Sequence, residues 1–155
     1  MKIIVISDSH GNTANLKHVM KFAKELNVAK VIHCGDWDNQ ASVEVLLSYK
    51  IPLYSVLGNA DIDPIVDNKL SLESKIYNRN FAGFRLGKRR AGLIHDIKNL
   101  PLKINDLDIV FFGHTHKQTD KKINKTRIIN PGALEKDISF AVYDTALNKV
   151  EFLNL

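Results

Sequence analysis

Five short apolar runs in this chain each finish in a carboxylate, an amide or an imidazole, and that repetition narrows the folds open to it. Lys2-Ile3-Ile4-Val5-Ile6-Ser7 runs into Asp8 and His10, and Val31-Ile32-His33-Cys34-Gly35 into Asp36. Leu53-Tyr54-Ser55-Val56-Leu57-Gly58 runs into Asn59, and Ala91-Gly92-Leu93-Ile94 into His95. Asp108-Ile109-Val110-Phe111-Phe112-Gly113 runs into His114 and His116. Short stretches rich in β-branched residues and bounded by glycine or polar residues predict buried strands. In α/β sheets, ligand sites form beyond the carboxyl ends of strands. The seven polar side chains are therefore predicted to converge on one pocket.

The segments between these runs predict how the strands connect. Asn12 or Thr13 caps a helix reaching about Asn27, whose stripe of Leu16, Val19, Met20, Ala23 and Leu26 has helical period. His18 falls off that stripe and is expected in solvent. A second helix from about Gln40 to Tyr49 presents Val43, Leu46 and Leu47, and Pro52 opens the third strand. This βαβαβ order implies parallel strands with right-handed crossovers. Beyond Asn59 the pattern turns to β. Residues 62–75 are expected to be an irregular surface loop. Strands follow near 75–86 and 90–95, then an irregular or short helical stretch at 99–106. Hairpins pair 119–123 with 126–130 and 138–143 with 149–154. No linker or repeat interrupts the chain, so a single domain over 1–155 is expected, with two packed sheets flanked by helices.

Composition excludes several classes. At 155 residues, with 45% hydrophobic and 25% charged residues, the chain can bury a real core and is not a disordered segment. Its single cysteine, Cys34, permits no intrachain disulfide and fits a reducing compartment. The first apolar run is too short for a signal peptide or a membrane span, so a soluble cytoplasmic protein is expected. The net charge of +5 is compatible with anionic partners. Scattered lysines that aid solubility explain it as well. The clusters Lys88-Arg89-Arg90 and Lys121-Lys122 carry no interleaved aromatic residues, so a nucleic-acid surface is not indicated. Trp37 has two readings: stacking on a substrate ring, or packing against the neighbouring helix, which is preferred.

Two carboxylates, four imidazoles and one amide in one pocket suit a pair of transition-metal ions better than magnesium alone. Asp8-Ser9-His10 sets two donor types just past a strand, where a loop can turn both inward. His114-Thr115-His116 is expected to aim both rings the same way, as alternate residues of an extended segment do. Asp36 can bridge two cations through its two oxygens. Any one of these motifs is weak alone; their shared placement after five strands makes the signal. His33 lies inside a strand and is expected to be a core residue or a support behind the metal ligands, and Cys34 a small buried filler.

Asp8-Ser9-His10-Gly11-Asn12, Gly35-Asp36, Gly58-Asn59-Ala60-Asp61, His95 and Gly113-His114-Thr115-His116 resemble the calcineurin-like metallophosphoesterase superfamily. Together with Asn130-Pro131-Gly132-Ala133 and the short length, they are similar to its small prokaryotic phosphodiesterase branch. The resemblance covers nearly the whole chain. It implies an α/β fold, a four-layer αββα sandwich of two mixed β-sheets flanked by helices. It also implies two divalent transition-metal ions, with manganese favoured over iron, zinc or nickel. One ion would be held by Asp8, His10, Asp36 and His116, the other by Asp36, Asn59, His95 and His114. Asp36, bridging the metals and a nucleophilic hydroxide, would form the catalytic set with Asn59 and His95. The implied reaction is direct hydrolysis of a small phosphodiester.

Two positions depart from the family pattern. Ala60 stands where many members have a histidine able to assist the leaving group, so esters with stable leaving groups are expected to be preferred. Asp61 next to it is expected to act as an acid, a partner of the metal ligands or a turn stabiliser. Asp96 replaces a glycine; it is expected to adopt a left-handed backbone and to hydrogen-bond His95 or add negative charge near the second metal. The competing interpretation is a non-catalytic scaffold on the same fold that binds protein partners, as a retromer subunit does. A homo-oligomer is compatible with the sequence.

Overall fold

The structure is a computed structural model that describes all residues 1–155. Strand β1 (Lys2–Ile6) leads through helix α1 (Thr13–Glu25) to β2 (Lys30–His33), then through α2 (Gln40–Ser48) to β3 (Leu53–Ser55). Helix α3 (Pro64–Glu73) and β4 (Ile76–Tyr77) follow. The antiparallel pair β5 (Phe81–Leu86) and β6 (Arg89–Ile94) precedes β7 (Ile109–Phe111). Two hairpins complete the chain: β8 (Thr119–Ile123) with β9 (Thr126–Asn130), and β10 (Ser139–Asp144) with β11 (Lys149–Asn154). The first sheet has the order β11-β10-β1-β2-β3-β4 and the second β5-β6-β7-β9-β8. Both are mixed, and the predicted parallel run β1-β2-β3 is present.

Strand periodicity assembles the layers. Ile4, Ile6, Val31, Leu53, Phe140 and Val142 face the helices and bury Leu16, Val19, Met20, Val43, Leu46, Val66 and Leu70. Their alternates Ile3, Val5, Ile32, Tyr54, Ala141 and Tyr143 turn the other way, against Leu86, Leu93, Ile109, Phe111 and Ile129 of the second sheet. The far face of that sheet presents Ile94, Val110, Phe112 and Ile128. It is covered by two 3-10 turns, Ile97–Asn99 and Ile104–Asp106, with Leu100 and Leu102. The fourth layer is thus a thin irregular cover. The first two helices begin where expected, because Asn12 and Asn39 accept the backbone N–H groups of Asn15 and Ser42.

Residues 62–75 are not an irregular loop. Asp63 caps α3 by accepting the Ile65 N–H at 2.9 Å, and Pro64 occupies the first turn, where its missing N–H costs nothing. The helix was hard to read because only Val66 and Leu70 are buried, while Ile65 and Leu72 are exposed, leaving little apolar stripe. Leu70→Ala is expected to cost about 2–4 kcal/mol in urea unfolding. Leu72→Ala, one half-turn on, should cost under about 0.5 kcal/mol. Equal costs at the two positions would contradict the packing of this helix.

Candidate metal centre

The parallel strands of both sheets end at one edge of the sandwich, and the seven side chains meet there. His116 Nε2 lies 3.2 Å from Asp8 Oδ1. His10 Nε2 is 3.4 Å from Asp36 Oδ2, and His95 Nε2 is 3.3 Å from that same oxygen. Asn59 Oδ1 is 3.0 Å from His95 Nε2 and 3.1 Å from His114 Nδ1. Donors sharing one cation at about 2.1 Å sit about 3.0–3.4 Å apart at octahedral or tetrahedral angles. All five separations fall in that span. Asp8 Oδ1 is buried and has no hydrogen-bond partner, although His116 faces it. An unpaired buried carboxylate oxygen is costly, and a cation shared with His116 would satisfy it. The donors fit divalent ions.

The imidazoles are oriented from behind. His95 Nδ1–H donates to the Cys34 carbonyl at 2.8 Å, which leaves the Nε2 lone pair facing Asp36. His10 Nδ1 lies 3.1 Å from both oxygens of Asp38, so its Nε2 is likewise free. Burial opposes charge on His10 and His95, but Asp38 beside the first and Asp36 beside the second raise both pKa values overall. Protons therefore compete with cations for these rings, and metal uptake weakens as pH falls. Burial, together with the nearby Asp36 charge, lifts the Asp8 carboxyl above its usual range. Asp36 feels the same desolvation but is held low by its bond to His95 and by the Ala60 N–H, which donates to Oδ1 at 2.9 Å.

Several features correct the sequence expectations. Asp36 does not spread two oxygens over two partners: Oδ1 belongs to Ala60, and Oδ2 alone faces both His10 and His95. The His114–His116 segment is not extended. Both residues have left-handed backbones, and their rings diverge, one to Asn59 and one to Asp8. Asp8, His10 and Asp36 also have positive φ. Such conformations are uncommon outside glycine and cluster where a site over-determines them. Asp96 is not left-handed and its carboxylate makes no hydrogen bond to His95; it caps the turn at Lys98 and places Oδ2 3.8 Å from His114 Nε2, the position that the alternative expectation of added negative charge described. Trp37, by contrast, packs as the preferred reading expected: it is fully buried in the helix-side core and stacks on His33 at 3.6 Å, so it cannot reach a ligand.

Sequence reasoning offered His33 and Asp61 as supports but not the contacts through which they act. His33 Nδ1 accepts the Gly35 N–H, so its Nε2–H donates to Ser9 Oγ, which donates to the Asp36 carbonyl. Burial depresses the His33 pKa to about 3, keeping the ring neutral for that role. Asn130 Nδ2 donates to the Gly113 carbonyl and to Thr115 Oγ1, pinning the loop that carries His114 and His116. Glycine is required at 113, where a Cβ would sit 2.7 Å from Asp8 Oδ2. Asp61 accepts four backbone N–H groups, those of Asp36, Trp37, Asp38 and Gly58. Of its three expected roles, the turn stabiliser is the one its contacts fill. The Asp38 contact had a signal in the Asp36-Trp37-Asp38 spacing; the backbone-mediated ones had none.

Residues 1–148 match the calcineurin-like phosphoesterase superfamily domain. The chain belongs to that superfamily. Among curated relatives of this calcineurin-like phosphoesterase, a phosphodiesterase of Methanocaldococcus jannaschii is 25% identical over 141 residues, covering 85% of this chain and 83% of its own. A probable metallophosphoesterase of Bacillus subtilis is 28% identical, with 99% and 96% covered. Among solved structures, an archaeal phosphodiesterase superposes with a TM-score of 0.86 at 23% identity over the full length of both chains. Vps29 of Chaetomium thermophilum shares the fold with a TM-score of 0.69 at 16% identity, over 100% and 97% of the chains.

Asp61→Ala removes one acceptor from four loop amides at once. It is expected to cost on the order of 3 kcal/mol in urea unfolding. It should also weaken manganese uptake in equilibrium dialysis of the folded protein, because Asp36 rides on that loop. Unchanged uptake would show that Asp36 is held by other means.

Proposed function

We propose that this calcineurin-like phosphoesterase hydrolyses small phosphodiesters at a two-metal centre. Asp8, His10, Asp36 and His116 would hold one divalent ion and Asp36, Asn59, His95 and His114 the other, with manganese favoured over iron, zinc or nickel. The observation that carries this reading is Asp36 Oδ2, a single oxygen within 3.4 Å of imidazole nitrogens on both sides. When bound, such a metal pair supplies a hydroxide nucleophile at neutral pH and neutralises phosphoryl oxygens. The chain's own residues do the rest. Asn59 and the histidines are neutral donors, so the two carboxylates leave the centre positive toward a diester anion. Cys34 and Asp38 keep His95 and His10 in the tautomers that present Nε2. Hydrolysis forms one P–O bond from the hydroxide and breaks the ester P–O bond, and the leaving oxygen takes its proton from solvent. Ala60 has none to give, and the Asp61 carboxylate is engaged with four amides, so leaving groups that are stable as anions are favoured. The buried Trp37 offers no stacking platform, which supports a small substrate over a nucleic acid.

A scaffold role is the second reading, favoured by the shared fold with Vps29. It gives no reason for a buried Asp8 oxygen to stay unpaired or for five donor residues to hold left-handed backbones. No helix is long and apolar enough to cross a membrane, and a cytoplasmic location is proposed on that and the single buried cysteine.

Bis-p-nitrophenyl phosphate with added Mn²⁺ tests the activity. Turnover should be lost on chelation and fall by at least about a thousandfold in Asp36→Ala. Turnover indifferent to both would sink the metal mechanism. Ala60→His should raise turnover of esters with poor alkyl leaving groups by about 10–100-fold, with little gain on aryl esters. An equal effect on both would remove leaving-group protonation as the missing element.

A further inference from the structure

We infer that the centre lies between two separate clefts, each receiving one arm of the diester, and that the arm in the smaller cleft is polar and hydroxyl-bearing. The inference rests on the proposed hydrolase reading and adds the substrate's shape and chemistry. The donors form a row: His116 and His10 on one side, Asp8 and Asp36 in the middle, His95, Asn59 and His114 on the other. A cleft of about 820 Å³ opens at the His95, Asn59 and His114 end. A distinct cleft of about 370 Å³ opens at the His116 end. Asp8, His10 and Asp36 line neither and form the floor between them. A phosphorus atom over that floor therefore has an open groove on each side, which a monoester would leave half unused.

The walls identify what the grooves accept. In the smaller cleft Gln118, Ser139 and Asn154 form a hydrogen-bonded set, with Gln118 Nε2 2.9 Å from Ser139 Oγ and 3.2 Å from Asn154 Oδ1. Glu135 and Lys136 stand beside them. No Phe, Tyr or Trp side chain is present in either lining. The larger cleft offers Asn80, Asp96 and Arg79, the last tethered by Asp67, whose other oxygen accepts the Tyr77 hydroxyl. That tether fixes one end of the guanidinium and leaves its remaining N–H donors to the cleft. The amides, hydroxyl and charged groups of the smaller cleft match a polyol arm, whereas Leu57, Ile62, Pro64, Ile94 and Pro101 of the larger cleft give an apolar or aryl arm a surface to pack on. The unequal volumes place the larger arm on the His95 side and a short, glycerol-sized arm on the His116 side.

Filling variants test the division. Ala133→Phe, and separately the exposed Asp137→Trp, obstruct the smaller cleft; Asn99→Trp obstructs the larger. With Mn²⁺-loaded protein, each should lower kcat/KM for bis-p-nitrophenyl phosphate by about tenfold, yet change that for methyl p-nitrophenyl phosphate by less than about twofold. Losses of equal size on both substrates, or no loss from filling the smaller cleft, would overturn the two-cleft assignment. Binding supplies a readout independent of turnover: diglycerol phosphate added to Zn²⁺-loaded protein should shift the amide resonances of Gln118 and Asn154 together with those of Asn80 and Arg79. Shifts confined to one cleft would also overturn the assignment. Wild-type protein inactive on every ester would instead remove the hydrolase reading, while the binding result still decides whether both clefts are occupied.

Discussion

Two carboxylates, Asp8 and Asp36, are buried at the heart of this molecule within reach of the same imidazole, His95. Desolvated like charges at such range oppose each other, and the folded state tolerates them only with compensating charge and donated hydrogen bonds. The sandwich supplies the bonds itself. The Ala60 amide takes one oxygen of Asp36, and the His114 amide takes Asp8 Oδ2. What remains is Asp8 Oδ1 and Asp36 Oδ2, two oxygens turned toward imidazole nitrogens. The rest of the site follows from that residue of unbalanced negative charge.

Holding it requires rigid supports, because five of the donor residues sit in a backbone conformation that costs free energy outside glycine. The supports are backbone ends of parallel strands and side chains that grip loops. Asp61 gathers the Asp36–Asp38 turn, Asn130 grips the Gly113–Thr115 turn, and neutral His33 ties the Ser9 turn to the Asp36 carbonyl. Each loop is thus pinned to a different strand end, and the strands are fixed by two continuous apolar layers. A site assembled this way can keep its donors in place before any cation arrives.

The same architecture supports enzymes and protein-binding scaffolds, so fold alone decides nothing about activity. What favours the enzyme here is chemistry at the strand ends: seven donor side chains gathered together, with His10 and His95 oriented from behind by Asp38 and the Cys34 carbonyl. The departures from the family pattern act on finer matters. Ala60 removes a proton donor, and Asp96 adds a carboxylate near His114 instead of hydrogen-bonding His95.

Much of this was legible in the linear chain. Apolar runs with β-branched residues marked every strand that carries a donor, and the stripe Leu16, Val19, Met20, Ala23 marked the first helix. The third helix was not, because its buried face is only two residues wide and its signal lies in the Asp63-Pro64 start. The residue types at the seven donor positions, and hence their fit to divalent ions, were set by sequence alone, since donor chemistry is a property of the side chain. Which oxygen of Asp36 faces two rings, which way His114 and His116 diverge, and which amides Asp61 collects were decided only by tertiary structure. Those contacts join loops up to 108 residues apart, several of them through backbone groups common to every amino acid, and no local pattern can encode them.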